Sequence, residues 1–203
     1  LREFSLDVVV ADDRDDALLG ERAGTPHGAD GNRSVRWTAV DPNDSELTLD
    51  VQYSVDGGGV WMDIAKGLKG VSETTWTIPG ATARTARALV RVTARDPSGV
   101  SGSVKSPLPF GITNAAPTFN GDLNALLASR CLSCHNETTA SGNLRADVYR
   151  RVGATGPLGM RDQSDEVVER TRVGAEQPMP PGGGLTAEER DLLQLWDWTG
   201  GVQ

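Results

Sequence analysis

Soft metal donors are nearly missing from this 203-residue chain. It has two cysteines, Cys131 and Cys134, and two histidines, His27 and His135. A four-ligand zinc site wants more Cys or His partners than that. Lysine is scarce too: Lys66, Lys69 and Lys105 all fall in the first half. No apolar run approaches the ~18 residues that a membrane-spanning helix needs, so no transmembrane segment is expected. Net positive charge is also lacking. The formal charge is −8, from 12 Lys/Arg against 16 Asp/Glu in residues 1–113 and 8 against 12 in residues 114–203. That balance argues against nucleic acid and against an anionic membrane surface as partners. The chain starts at Leu1 with no signal-peptide pattern, which suggests a mature or trimmed product.

What is present in quantity is glycine and proline, 24 and 11 residues, alongside 37% hydrophobic residues. A loop-rich globular protein is expected. Over residues 1–113 short alternating runs recur between Gly, Pro, Asn and Asp clusters, the pattern of β-strands. Asp7 to Val10, Ser34 to Val40, Leu47 to Tyr53, Val60 to Ile64, Thr74 to Ile78, Ala86 to Arg95 and Val104 to Ile112 are the candidates. Leu47, Leu49, Val51 and Tyr53 share one face, as do Ala88, Val90, Val92 and Ala94. Asp41-Pro42-Asn43-Asp44 reads as a turn. Asp56-Gly57-Gly58-Gly59 supplies the positive-φ residues of a hairpin. About seven strands at regular spacing suggest a β-sandwich whose core tryptophans and aliphatics must fill. The acidic clusters at Asp12, Asp13, Asp15 and Asp16 and at Asp41, Asp44 and Glu46 are read as solvated loops before calcium sites, since neither has spaced EF-hand ligands. His27 reads as a surface residue.

Residues 114–120 read as a short linker, and from there the period changes to that of helices. Asn120 is a candidate cap, with Leu123, Leu126 and Leu127 forming an apolar face. Residues 145–152 read as a short helix, and Ser164 as the cap of another from Asp165 to about Val173. Thr186-Ala187-Glu188-Glu189 is a capping box with Thr186 at N-cap and Glu189 at N3. Leu192, Leu193, Leu195 and Trp196 follow, and Gly200-Gly201 closes the helix. Some 85 residues with few large apolar side chains bury too little surface to fold well alone.

Within this half, Cys131-Leu132-Ser133-Cys134-His135 reads C-x-x-C-H, the attachment signature of a c-type haem. Two thiols one helical turn apart each add to a haem vinyl group, and the histidine becomes the proximal iron ligand. A thioredoxin-type dithiol would want a βαβ setting, which is not visible. A structural disulfide gives no reason for the adjacent histidine. One covalent haem c would also supply the missing core. A second axial ligand must be a methionine, because this half has no other histidine. Met179, in Gln177-Pro178-Met179-Pro180-Pro181-Gly182, is preferred, since flanking prolines stiffen its loop. Met160 reads as a packing residue near the haem edge. Arg145, Arg150, Arg151 and Arg161 are candidate partners for the propionates. Trp198 and Tyr149 are candidate porphyrin contacts, and Trp196 reads as core.

Two resemblances follow. The run through Trp37, Tyr53-Ser54-Val55-Asp56-Gly57-Gly58, Trp61 and Val92-Thr93-Ala94-Arg95-Asp96 resembles immunoglobulin-like or fibronectin type III-like modules. Leu126 through His135, Pro178-Met179-Pro180-Pro181 and Leu185 through Gly200 resemble a monohaem class I cytochrome c. Together they imply two domains, an all-β immunoglobulin-like sandwich over 1–113 and a small all-α cytochrome c fold over 121–203. They imply thioethers at Cys131 and Cys134 and iron ligation by His135 and Met179. They also imply a helix crossing between the Leu123/Leu127 and Leu192/Trp196 faces. The lack of lysine after residue 113 departs from lysine-ringed docking faces, so partners would meet arginine, apolar surface or the β domain. The function expected is electron transfer outside the cytoplasm, in the bacterial periplasm or beyond. The redox partner proteins would belong to a larger membrane or extracellular complex, and the sandwich would serve docking. It is not expected to be an enzyme. The alternatives are a peroxidase-like open haem site and a structural or adhesive component of a redox assembly.

Overall fold

The computed structural model describes residues 5–12, 26–27, 32–41, 46–79, 84–182 and 184–203. Asp13, Asp15, Asp16, Pro42, Asn43 and Asp44 lie outside them, as do the side chains of Asp12 and His27. The chain divides into two compact units, residues 1–114 and 115–203.

Among the described residues the first unit has nine strands: β1 (Ser5–Asp12), β2 (Pro26–His27), β3 (Asn32–Val40), β4 (Thr48–Ser54), β5 (Met62–Lys69), β6 (Glu73–Thr77), β7 (Thr85–Arg95), β8 (Ser101–Lys105) and β9 (Phe110–Ile112). They form a three-stranded sheet, β1-β3-β6, and a larger one, β2-β9-β7-β4-β5, in which β8 also pairs with β7. One core draws on both sheets. Val35, Trp37 and Trp76 come from the small sheet, and Leu49, Val51, Tyr53, Val90 and Val92 from the large one. Trp76 is the bridge, its ring 4.9 Å from Tyr53 and 6.2 Å from Phe110. Alternation along β4 and β7 is the reason these faces bury: side chains two residues apart share a face, and each large apolar one removed from water contributes about 1.5–3 kcal/mol.

Two details depart from the alternation pattern. The last expected strand, Val104 to Ile112, is two strands, because Pro107 and Pro109 cannot donate to a ladder. β8 and β9 both pair with β7, Arg91 with Lys105 and Ala88 with Phe110, so three steps along β7 answer five along its neighbour. Ser106 keeps the register, its N–H bonding the Val90 carbonyl at 2.8 Å, so the surplus falls at Pro107 to Pro109. Trp61 stays out of the core. The Arg91 guanidinium stacks 4.2 Å from its ring, and its indole N–H donates to the Gly58 carbonyl at 3.0 Å.

The hairpin after β4 turns on Asp56. Its carboxylate accepts from the N–H groups of Gly59, at 2.8 Å, and Val60, at 3.0 Å, and from the Ser54 hydroxyl at 2.7 Å. Those bonds, Val60 first, hold its pKa below the ordinary range. Gly57 and Gly58 have φ of 80° and 100°, which non-glycine residues rarely adopt.

The second unit opens with a π-helical turn, Phe119–Leu123, running into α1 (Asn124–Arg130). Thr118, and not Asn120, caps it, accepting from the Gly121 N–H at 3.2 Å. Next come a two-residue parallel pair, β10 (Leu144–Arg145) with β11 (Leu158–Gly159), a 3-10 turn at Met160–Gln163, α2 (Ser164–Thr171) and α3 (Ala187–Trp198). The helix expected over 145–152 is absent. The chain there doubles back so closely that a Cβ on Gly159 would sit 2.6 Å from the Arg150 backbone. Ser164 starts α2 without capping it, its hydroxyl instead accepting from Arg161 at 2.8 Å. At α3 the capping box is present in both directions: Glu189 N–H to Thr186 Oγ1 at 3.2 Å, and Thr186 N–H to Glu189 Oε2 at 2.7 Å.

This architecture corrects the expected fold class. The protein is predominantly β, with three short α-helices of 7, 8 and 12 residues among the described residues. No separate all-α cytochrome c fold is present among them, because glycine and proline cut residues 141–163 into turns and a strand pair. The β unit is two sheets over one core, with a parallel β2–β9 pair that the seven-strand immunoglobulin pattern did not include. Leu123 and Leu127 share one core with Leu193 and Trp196, and Leu192 packs against it, in line with the expected helix crossing. Phe119, in the π-helical turn, meets Trp196 with ring centroids 6.5 Å apart, and Leu193, Leu195 and Trp196 are the buried residues of α3 along with Asp191.

Candidate functional site

The site begins where α1 ends. Leu123, Leu126 and Leu127 are buried and anchor the helix. The Cys131 N–H still bonds the Leu127 carbonyl at 2.9 Å, after which the chain tightens: Cys134 and His135 N–H groups both reach the Cys131 carbonyl, at 3.1 and 2.9 Å. Asn136 locks the turn. Its amide donates to the Leu132 carbonyl at 2.8 Å, and its oxygen accepts from Thr138 and Thr139 N–H at 2.8 and 3.0 Å. Ala146 N–H bonds the His135 carbonyl at 2.8 Å, tying the turn to the strand pair. The backbone of the C-x-x-C-H stretch is therefore held from three sides before any ligand is considered.

A cavity of about 490 Å³ opens against this turn. That lies within the ~300–1,000 Å³ range of small-molecule sites. Cys131, Cys134, His135, Met160 and Met179 all line it. So do Leu144, Ala146, Pro180, Pro181 and Leu185, which make one part of the wall apolar. Met179 is fixed by its backbone, its N–H bonding the Arg170 carbonyl at 2.8 Å. Met160 is also a core residue, 1% exposed.

The two cysteines are not disulfide-bonded; Cys131 is half-buried and Cys134 exposed. Burial, with the Glu189 charge adding to it, pushes the Cys131 thiol up to about 11. Redox-active dithiols need the opposite shift, because the thiolate is the nucleophile. The His135 Nδ1 is buried with no hydrogen-bond partner, on a ring that lines the cavity.

The arginines expected near the cofactor are engaged elsewhere. Arg145 pairs with Asp147 at 2.5 Å, Arg151 donates to the Ala154 carbonyl at 3.1 Å, Arg161 to Ser164, and Arg150 lies 5.4 Å from the Tyr149 ring centroid. None of them lines the cavity, and neither do Tyr149 or Trp198. Tyr149 donates to the Gly201 carbonyl at 2.6 Å and packs on Phe119, while Trp196 is core and donates to the Val202 carbonyl at 2.8 Å. The cationic groups on the wall are Arg130 and Arg170, which the sequence reading did not single out. Both were findable. Arg130 directly precedes Cys131, and Arg170 follows Gln163, Glu166 and Val167 at helical spacing on one face of α2.

Among the described residues, no group of three or more His, Cys, Asp or Glu side chains is placed to hold a bare metal ion. The donor set is two thiols, one imidazole and thioether sulfurs around an apolar void. That fits a flat macrocycle that brings its own equatorial nitrogens. No protein-family model matches the chain, and no curated protein matches it. With the largely β architecture and the absence of an all-α domain, the expected membership of a class I cytochrome c joined to an immunoglobulin-like module is set aside. The short motifs that suggested it describe one cavity and not a fold.

Proposed function

We propose that residues 115–203 hold one haem c, with thioether bonds from Cys131 and Cys134 and with His135 and Met179 as axial ligands, and that the chain relays single electrons outside the cytoplasm. The observation that carries this reading is that one cavity is lined by both thiols of the chain, by His135 and by Met179. When bound, the cofactor supplies a one-electron Fe(III)/Fe(II) couple. The residues do the rest. The pinned turn presents both sulfurs from one side, and the orphaned Nδ1 leaves His135 no competing internal partner on that nitrogen. The proline-flanked loop restricts where the Met179 thioether can go. Leu144, Ala146 and Leu185 exclude water, and a filled cavity would complete the packing of this unit.

If His135 and Met179 both hold the iron, no substrate would coordinate it, so the proposed role is a relay and not an enzyme. The β unit serves in this reading as the docking or assembly module toward redox partner proteins of a larger complex. Among the described residues no helix is long and apolar enough to cross a membrane. Periplasmic or extracellular placement belongs to the proposal, because covalent haem attachment in bacteria occurs after export.

A redox-titrated optical spectrum of the full chain, beside Met179→Ala, tests it. The expected result is a low-spin haem spectrum in both oxidation states for the natural chain, and a high-spin or lower-potential one for the variant. A colourless product, or a variant spectrum identical to that of the natural chain, overturns the proposal.

A further inference from the structure

The cavity wall is not uniformly apolar. Gln163, Glu166, Val167, Arg170 and Thr171 all line it, from the residue before α2 through the end of that helix. The spacing is i, i+3, i+4, i+7, i+8, a single helical face. The Arg170 guanidinium pairs with the Glu166 carboxylate one turn away. A helix rotated to bring Val168 in beside Val167 would present more apolar surface to the cavity. Instead a carboxylate and a guanidinium, in contact, face the same void.

We propose that the Glu166–Arg170 pair is a balanced charge element that holds the reduction potential of the site. This rests on the haem reading above. Reduction adds one electron, taken from a partner protein or, in the test, from a mediated electrode. No proton moves and no bond breaks, and the charge inside the cavity becomes more negative by one. A wall carboxylate disfavours that change and a guanidinium favours it, each by its Coulomb energy. In contact they nearly cancel, so the natural potential is close to that of the same wall with neither of these two charges. Removing either partner unmasks the other. Both side chains are partly exposed, at 54% for Glu166 and 37% for Arg170, so water and salt screen the effect.

The experiment compares equilibrium midpoint potentials of the full haem-loaded chain at pH 7 for the natural protein, Glu166→Gln, Glu166→Lys, Arg170→Gln and the Glu166→Gln/Arg170→Gln double variant. The expected order is Arg170→Gln lowest, then the natural chain with the double variant near it, then Glu166→Gln, then Glu166→Lys. The spread narrows as ionic strength rises from 0.01 to 1 M, where the screening length falls from ~30 to ~3 Å. Shifts of opposite sign separate a charge effect from loosened packing, which would move every variant the same way. The Glu166→Lys step keeps the claim testable if Arg170→Gln folds poorly. Flat potentials, or shifts of one sign, with haem present in every variant, overturn the inference and leave the haem reading standing. Absence of haem from all five overturns both.

Discussion

The two units solve the problem of a small core in different ways. In residues 1–114, Trp37, Trp76, Tyr53, Phe110 and a set of Val, Leu and Ile residues fill the space between two sheets with protein atoms. In residues 115–203, Phe119, Leu123, Leu127, Met160, Leu193 and Trp196 form a core beside an opening of about 490 Å³. Among the described residues the core of the first unit is made by side chains from both sheets, while that of the second borders a cavity that the proposed cofactor would fill. The difference directs the functional proposal to the second unit, where the cavity lies beside Cys131 and Cys134.

Four experiments break or sharpen this contrast. The largest effect is expected from Cys131→Ala/Cys134→Ala, which removes covalent attachment. Thermal unfolding followed by circular dichroism should lose the transition of the second unit and keep that of the β unit. If both vanish together, the two cores are not separate stability units. Next is a pair of truncations, Trp76→Ala and Trp196→Ala, each expected to cost about 3–5 kcal/mol. In chemical denaturation the first should weaken the β transition alone, and the second the transition of residues 115–203 alone. Thr186→Ala comes third. It removes the α3 cap and should cost about 0.5–2 kcal/mol, read as a lower denaturation midpoint of the second unit with no change in the first.

The smallest effect concerns pH. Asp162 accepts from the Gly159 N–H at 3.0 Å and the Arg151 N–H at 2.6 Å. The Gly159 bond, with the Arg151 bond and nearby arginine charges helping, holds its carboxyl below the usual range. A depressed folded pKa means that the stabilisation is complete above the unfolded value of ~3.9 and is lost as pH falls through the folded value. The melting-temperature gap between natural protein and Asp162→Asn should therefore be widest above about pH 5 and narrow as the pH falls below the unfolded value of ~3.9. A gap that does not depend on pH would mean that the carboxylate charge contributes nothing to this turn.

How much of this was legible from residues alone differs between the units for a physical reason. Strand alternation is local and repeated, so the inward set Leu49, Val51, Tyr53 and Ala88, Val90, Val92, Ala94 could be read directly, and those side chains are buried. The position of Trp61 could not, because its side is decided by Arg91, thirty residues away on another strand. The break between β8 and β9 was carried by Pro107 and Pro109, a signal present but not weighed. In the second unit the Thr186/Glu189 box was readable because a cap needs only four residues. The fold was not. C-x-x-C-H and the Pro-flanked Met179 specify which atoms meet in a cavity, and they leave the path between them open. That path runs through a strand pair, turns and the short helix α2. A run such as Arg145 to Val152 has helical composition, yet the crossing at Gly159 overrides it. The arginine partners were misjudged for a related cause: which cation faces a void depends on helix phase, and α2 supplied Arg170 where Arg145 and Arg161 had nearer carboxylates or hydroxyls to satisfy.

The most direct test is the intact mass of the full chain after expression with an export leader in cells that carry out haem c attachment, with thiol titration on the same sample. The prediction is the polypeptide mass plus one haem, with both thiols consumed. A bare polypeptide mass with two titratable thiols would contradict the claim that the void beside Cys131 and Cys134 is a haem site.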